Sequence, residues 1–100
     1  MSEINRVIHE PVRLQIMSVL TGVDRADFTF MLTTLGLSKG NLSSHIEKLE
    51  RVGYVKVNKS FSGKMTLTEY SLTKKGKKAL AHYWDALDKI RASPQARKAV

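Results

Sequence analysis

Apolar residues recur with a helical period over most of this chain and with a period of two over one stretch, and turn-forming residues sit at the breaks. Ile4, Val7 and Ile8 stand at i, i+3 and i+4, which predicts a short helix over residues 2–9 that stops before Pro11. Pro11 can then occupy the first turn of a second helix, where its missing N–H costs nothing. Val12, Leu14, Ile16, Met17, Val19 and Leu20 cover most of that helix's circumference, so it is expected to be central and buried, ending near Gly22. Asp27 can cap a third helix that carries Phe28, Met31, Leu32 and Leu35 on one face. Gly36 supplies a left-handed stop, Leu37 can fold back on Leu32, and Ser38 can cap the next helix. Two short helices joined by so tight a glycine-containing turn read as a helix-turn-helix.

The helix that follows runs to about Val52, buries Leu42, Ile46 and Leu49, and is closed by Gly53. YVKVNKSF then alternates, with Val55 and Val57 on one face and Lys56 and Asn58 on the other. After a turn at Ser62 and Gly63, residues 65–72 can return as a second strand. Thr66, Thr68 and Tyr70 share the parity of Leu72 while Met65 and Leu67 take the opposite side, so the pattern leaves the core face near the tip open. Thr73 can cap a final helix whose stripe is Leu80, Tyr83, Trp84, Leu87 and Ile90; Pro94 lies past its end, and residues 93–100 read as a flexible tail. The order of elements predicts one α+β, mainly α, domain over residues 1–92: a winged helix-turn-helix with a two-stranded β wing and a C-terminal helix.

One hundred residues with 42% hydrophobic content supply a single modest core. The chain has no cysteine, which excludes disulfides and thiolate metal sites. The acidic start MSEINRVIHEP lacks the apolar core of a signal peptide, and no stretch approaches the ~20 apolar residues of a membrane span. A soluble cytoplasmic protein is expected. His9, His45 and His82 are far apart and no metal, nucleotide or nucleophile motif is present, so neither an enzyme, a cofactor nor a metal site is expected.

The net charge of +8 is unevenly spread. Residues 1–37 hold three Lys and Arg against four Asp and Glu, residues 38–78 hold ten against three, and residues 79–100 hold four against two. A basic block in mid-chain points to a polyanion, most often nucleic acid, although a solvated lysine-rich surface accounts for the charge alone equally well.

The block begins at LGLSKGNLSSHIEKLE, residues 35–50, where poor helix formers open a clean helical rhythm. Glycine alone costs about 1 kcal/mol relative to alanine inside a helix. Turning 100° per residue from Leu42, the outward face holds Gly40, Ser44, Glu47 and Arg51, flanked by Ser43 and Lys48, with Lys39 at the tip. Such a low polar face lets backbone approach a groove, and unpaired N–H groups at Ser38 to Asn41 attract phosphate. Gly40 and Asn41 could alternatively be turn residues, with the helix beginning after Asn41, the less favoured of the two readings. Asn41 and His45 project sideways, so His45 is packed or a contact in equal measure. Lys48 and Arg51 lie where phosphates are expected, and Glu47 opposes them unless it pairs with one of the two. Lys74, Lys75, Lys77 and Lys78 open the last helix against its dipole, which suits phosphate attraction or a solvated turn.

PVRLQIM at 11–17, DFTFMLTTLGLSKGNLSSHIEKLERVGYV at 27–55, KSFSGK at 59–64 and YSLTKKG at 70–76 together resemble the small winged-helix regulators of the MarR-like and ArsR-like families, over roughly Pro11 to Trp84. The resemblance implies sequence-specific binding of double-stranded DNA by a homodimeric transcriptional regulator. The expected recognition residues are Ser38, Lys39, Gly40, Asn41, Ser43, Ser44, Lys48 and Arg51, and the expected wing contacts are Lys59, Ser62, Gly63 and Lys64. Similar proteins often carry Pro-Arg-Thr in the returning wing strand; here Thr66-Leu67-Thr68 stands there, so wing contact rests on Lys59 and Lys64. The surplus apolar stripe predicts a dimer surface from Leu80, Tyr83, Trp84, Leu87 and Ile90 with Ile4, Val7 and Ile8. A protein-interaction adaptor or an RNA-binding module are the alternative readings. Nothing in the sequence specifies an effector.

Overall fold

Glu10 opens the first helix. Its backbone is extended (φ −151°, ψ 131°), as a residue before proline prefers, and its carboxylate accepts from the N–H groups of Val12 (2.7 Å) and Arg13 (3.2 Å). The computed structural model describes residues 4–92. In chain order it contains α1 (Pro11–Thr21), β1 (Ala26–Asp27), α2 (Phe28–Leu35), α3 (Lys39–Arg51), β2 (Val55–Ser62), β3 (Met65–Leu72) and α4 (Lys74–Ala92). α1 is central as expected, burying Arg13, Ile16, Met17 and Leu20, while Gln15, Ser18 and Thr21 keep one edge in solvent.

The N-terminal segment differs from expectation. Residues 4–9 form a turn, not a helix: the Asn5 side-chain oxygen accepts from the N–H groups of Val7 (3.0 Å) and Ile8 (3.1 Å), and its carbonyl accepts from His9 (2.8 Å). A single turn satisfies the i, i+3, i+4 spacing and buries Ile8 completely, and the extended Glu10 stops propagation. Residues 2 and 3 of the expected helix, and the expected tail over 93–100, lie outside the described residues.

The helix-turn-helix forms where the local signals place it. Asp27 caps α2 by accepting from Phe30 N–H (2.7 Å), and Gly36 ends it at φ 64°, donating to the Leu32 carbonyl (2.8 Å). Ser38 caps α3 and accepts from Asn41 N–H (3.1 Å), so the helix begins at Lys39 and the later start is excluded.

The wing hairpin pairs Val55 with Leu72, Val57 with Tyr70 and Lys59 with Thr68, and turns at Gly63 and Lys64. Directly opposed residues share a face, so the open question of the core side is answered by Tyr70, 4% exposed, and Val55, 2% exposed. The sheet has three strands, not two: β1 lies on the other edge of β3, with Ala26 opposite Tyr70, in the antiparallel order β1-β3-β2. Two residues are too few to leave an alternating pattern, and β1 exists because β3 offers it an edge.

Thr73 joins wing to α4. Its hydroxyl donates to the Gly53 carbonyl (2.5 Å) and accepts from Gly76 N–H (2.9 Å), while its own N–H bonds the Tyr54 carbonyl (3.1 Å). Gly76 is buried against Tyr54, and a Cβ there would collide with the Tyr54 carbonyl. The glycine in KKGKK thus permits the close crossing of α4 over the start of β2.

Candidate nucleic-acid interface

The first turns of α3 expose Ser38, Lys39, Gly40, Asn41, Ser43 and Ser44, and the same helix exposes Lys48 and Arg51 further along. Leu42, Ile46 and Leu49, at most 4% exposed, fix the opposite face on the core. Among the described residues, the side chains of Lys39, Asn41, Ser43, Ser44 and Lys48 make no hydrogen bond or ion pair within the protein. A Cβ on Gly40 would meet nothing within 4 Å, so its small size serves no internal contact. The structure therefore brings all the expected recognition residues together on one open face, with the N–H groups of a helix N-terminus at its tip.

Glu47 pairs with Arg51 (2.9 Å), which offsets the carboxylate that would oppose phosphate. Both side chains are more than two-thirds exposed, so the pair is worth little and either can be redirected by an incoming charge.

His45 is not on that face. It sits in a half-buried cluster with Glu10 and Arg13, its Nδ1 3.1 Å from an Arg13 guanidinium nitrogen and 3.4 Å from a Glu10 oxygen. Arg13, 9% exposed, also donates from Nε to the Val7 carbonyl (2.6 Å). Burial raises the Glu10 carboxyl's pKa, but the N–H bonds from Val12 and Arg13 and the charges of His45 and Arg13 outweigh it and leave the group below its usual value. The cluster ties α3 to α1 and to the N-terminal turn, and so sets the pose of α3. Glu10 and Arg13 carry no sign of this role in the sequence, since nothing local connects residues 13 and 45.

Lys59, Ser62, Gly63 and Lys64 are exposed along the outer half of the wing. Ser43 and Glu47 of α3 line one cleft together with Lys59 and Thr68 of the hairpin, so the wing's inner face looks toward α3. The four lysines that open α4, Lys74, Lys75, Lys77 and Lys78, are all exposed, and Lys75 also lies over the Tyr54 ring, 5.8 Å from its centroid. Phe61 and Met65 flank the wing turn and are large apolar side chains in solvent, a feature the pattern of alternation did not signal.

The expected dimer residues divide. Ile8, Leu80 and Tyr83 are at most 5% exposed and belong to the chain's own core, where Tyr83 also bonds His9 Nδ1 through its hydroxyl (2.8 Å). Ile4, Val7 and Leu87 pack partly against that core, while Trp84 and Ile90 are 44% and 47% exposed. Among the described residues no three His, Cys, Asp or Glu side chains cluster as metal ligands, and no helix is long and apolar enough to cross a membrane.

The family model described as a winged helix DNA-binding domain matches residues 12–91. An uncharacterized protein of Methanocaldococcus jannaschii is 32% identical over 78 residues, which are 78% of this chain and 85% of that one. The transcriptional regulator homologue protein of Pyrococcus horikoshii OT3 superposes with a TM-score of 0.81 at 32% identity, covering 86% of this chain and 85% of that chain. The fold is also that of the transcriptional repressor CouR, solved bound to a 23-mer DNA duplex (TM-score 0.70, 23% identity, 94% and 70% covered). A MarR-family regulator from Enterococcus faecalis V583 shares it as well (TM-score 0.67, 20% identity, 87% and 84% covered). The match that begins in α1 and runs through the helix-turn-helix and wing into α4 establishes that this chain belongs to the winged helix DNA-binding domain family, its fold neighbours being transcriptional regulators.

Proposed function

We propose that the protein is a homodimeric, cytoplasmic transcriptional regulator that binds double-stranded DNA with sequence specificity, α3 lying in the major groove. The observation that carries the proposal is the open face of α3, on which the side chains of Lys39, Asn41, Ser43, Ser44 and Lys48 have no hydrogen-bond or ion-pair partner among the described residues. Ser38, Lys39, Gly40, Asn41, Ser43 and Ser44 stand nearest the bases and the leading phosphate; Lys48 and Arg51 meet phosphates further along the strand. Lys59, Ser62, Gly63 and Lys64 carry the wing's contact with the backbone. A second copy packs on Trp84 and Ile90 and on the outer edges of Ile4, Val7 and Leu87, because Ile8, Leu80 and Tyr83 are taken by the core.

Selection of bound duplexes from a random pool tests symmetry and specificity together. An inverted repeat with half-sites about 34 to 36 Å apart, or a multiple of that, is the expected result. Neutralising 6 to 10 phosphates should lower affinity by ~10³ to 10⁵ between 50 and 200 mM salt, and affinity flat against salt would sink the proposal. Ser44→Glu should abolish binding while leaving the unfolding midpoint unchanged, since Ser44 is exposed. Effective competition by duplex or single-stranded RNA would favour a shape-reading RNA module instead.

A further inference from the structure

The wing outruns the core that supports its base. Val55 and Val57 lie over the core opposite Leu72 and Tyr70, but further out Phe61, opposite Thr66, is 80% exposed, and Met65, opposite Ser62, is 74% exposed. Opposed residues share a face, so Phe61 stands on the side of Lys59 and Thr68, and Met65 on the other side with Leu67. Residues 59–68 include Lys59 and Lys64 and no acid. The outer hairpin is thus a narrow two-stranded blade with one large apolar side chain on each face beside the turn and a cation at the turn and behind it.

Its direction relative to α3 is fixed by the cleft that Lys59 and Thr68 share with Ser43 and Glu47. Phe61 lies two residues beyond Lys59 on that same face, about 7 Å further from the body. A duplex seated on the open face of α3 presents its next groove, a minor groove, roughly half a turn or ~17 Å along the axis. Thr66, Leu67 and Thr68 offer no guanidinium to read that groove, whereas an apolar ring can enter it and part a base step.

We infer that Phe61, backed by Met65, enters the minor groove as an apolar wedge that bends the duplex, with Lys59 and Lys64 on the flanking phosphates. The inference rests on the DNA-binding reading above. It implies specificity at positions the protein does not hydrogen-bond: pyrimidine–purine steps, which unstack most easily, should be favoured under the wing.

The probe is the 30-base-pair duplex that the wild-type chain enriches from a random-sequence pool, carrying a donor and an acceptor dye at its two ends. Wild-type protein is expected to shorten the end-to-end distance. Phe61→Ser should relax that bend and weaken binding about tenfold without changing the salt slope, because no phosphate contact is lost. Phe61→Leu should retain most of the bend, and Lys64→Ala should lower the salt slope by about 1 while the bend persists. Thermal unfolding of Phe61→Ser should match wild type, since the ring supports nothing in the fold. Wild-type bend and affinity in Phe61→Ser would overturn the wedge and leave the DNA-binding reading intact. A loss that tracks conversion of dimer to monomer in sedimentation would also overturn it, making the tip a contact between copies. If wild-type protein enriches no duplex, the DNA-binding reading fails and the wedge fails with it.

Discussion

Glu10 acts at the residue scale in two ways, as the cap of α1 and as the counter-charge in a pocket that holds Arg13 and His45. Glutamine keeps one acceptor oxygen but loses the charge, so Glu10→Gln should destabilise the fold by about 1 kcal/mol at neutral pH, within the range of a lost helix cap. The sign of its pH dependence follows from the lowered carboxyl pKa. A group depressed in the folded state contributes stability that is fully present above its unfolded value near 4.5 and is lost as pH falls through the folded value. The difference between wild type and Glu10→Gln in urea unfolding should therefore be present at pH 6 and close as the pH drops below about 4.5. A gap that widens as the pH falls below about 4.5 would mean that the carboxylate is not stabilised by its neighbours. The cluster was illegible in the sequence because its members are brought together by the crossing of α1 and α3, and a histidine 32 residues from its arginine partner leaves no local trace.

At the scale of elements, two glycines in helices make opposite demands. Gly76 packs its Cα against the Tyr54 backbone, and neither that strand start nor α4 can retreat without disturbing the three Thr73 hydrogen bonds. Gly76→Ala should lower stability by about 1 to 3 kcal/mol despite alanine's better helix propensity. Gly40→Ala, with open space around the added methyl, should be neutral or gain up to about 1 kcal/mol while weakening DNA binding. Melting temperatures that move the same way in the two variants would contradict this placement. The helix-turn-helix was legible because each local device agrees with the next: the Asp27 cap, left-handed Gly36 and the Ser38 cap all hold where the pattern puts them. The N-terminal turn was misread because Ile4, Val7 and Ile8 suit one hydrogen-bonded turn as well as a helix, and the Asn5 side chain decides between them. β1 and the core face of β3 depend on which strand edge meets which layer, a relation between distant residues that alternation alone does not encode.

At the scale of the molecule, the described residues form an elongated body. Its radius of gyration is 15.9 Å and its extents are 60 × 26 × 21 Å, whereas a compact chain of this length would be near 13 Å. The 19-residue α4 and the wing account for that shape, and along α4 the core claims Leu80, Tyr83 and Ala86 but leaves Trp84 nearly half exposed, edge-on to Tyr83 at 5.3 Å. A Trp this exposed on a helix that projects from the body is most economically covered by a second copy, and symmetric duplication would also place two α3 helices on the two half-sites of an inverted repeat. Trp84→Glu should then yield a monomer by sedimentation at micromolar concentration, with a melting temperature that no longer rises with protein concentration. Its affinity for an inverted repeat should fall toward that for a single half-site, since joining two sites contributes through effective concentration and not through new contacts. Because the side chain is only partly buried in the protomer, the variant should retain wild-type helix content, and its half-site affinity should be unchanged. A wild-type chain that sediments as a monomer at the same concentration would remove the second copy from the account while leaving the face of α3 as it stands.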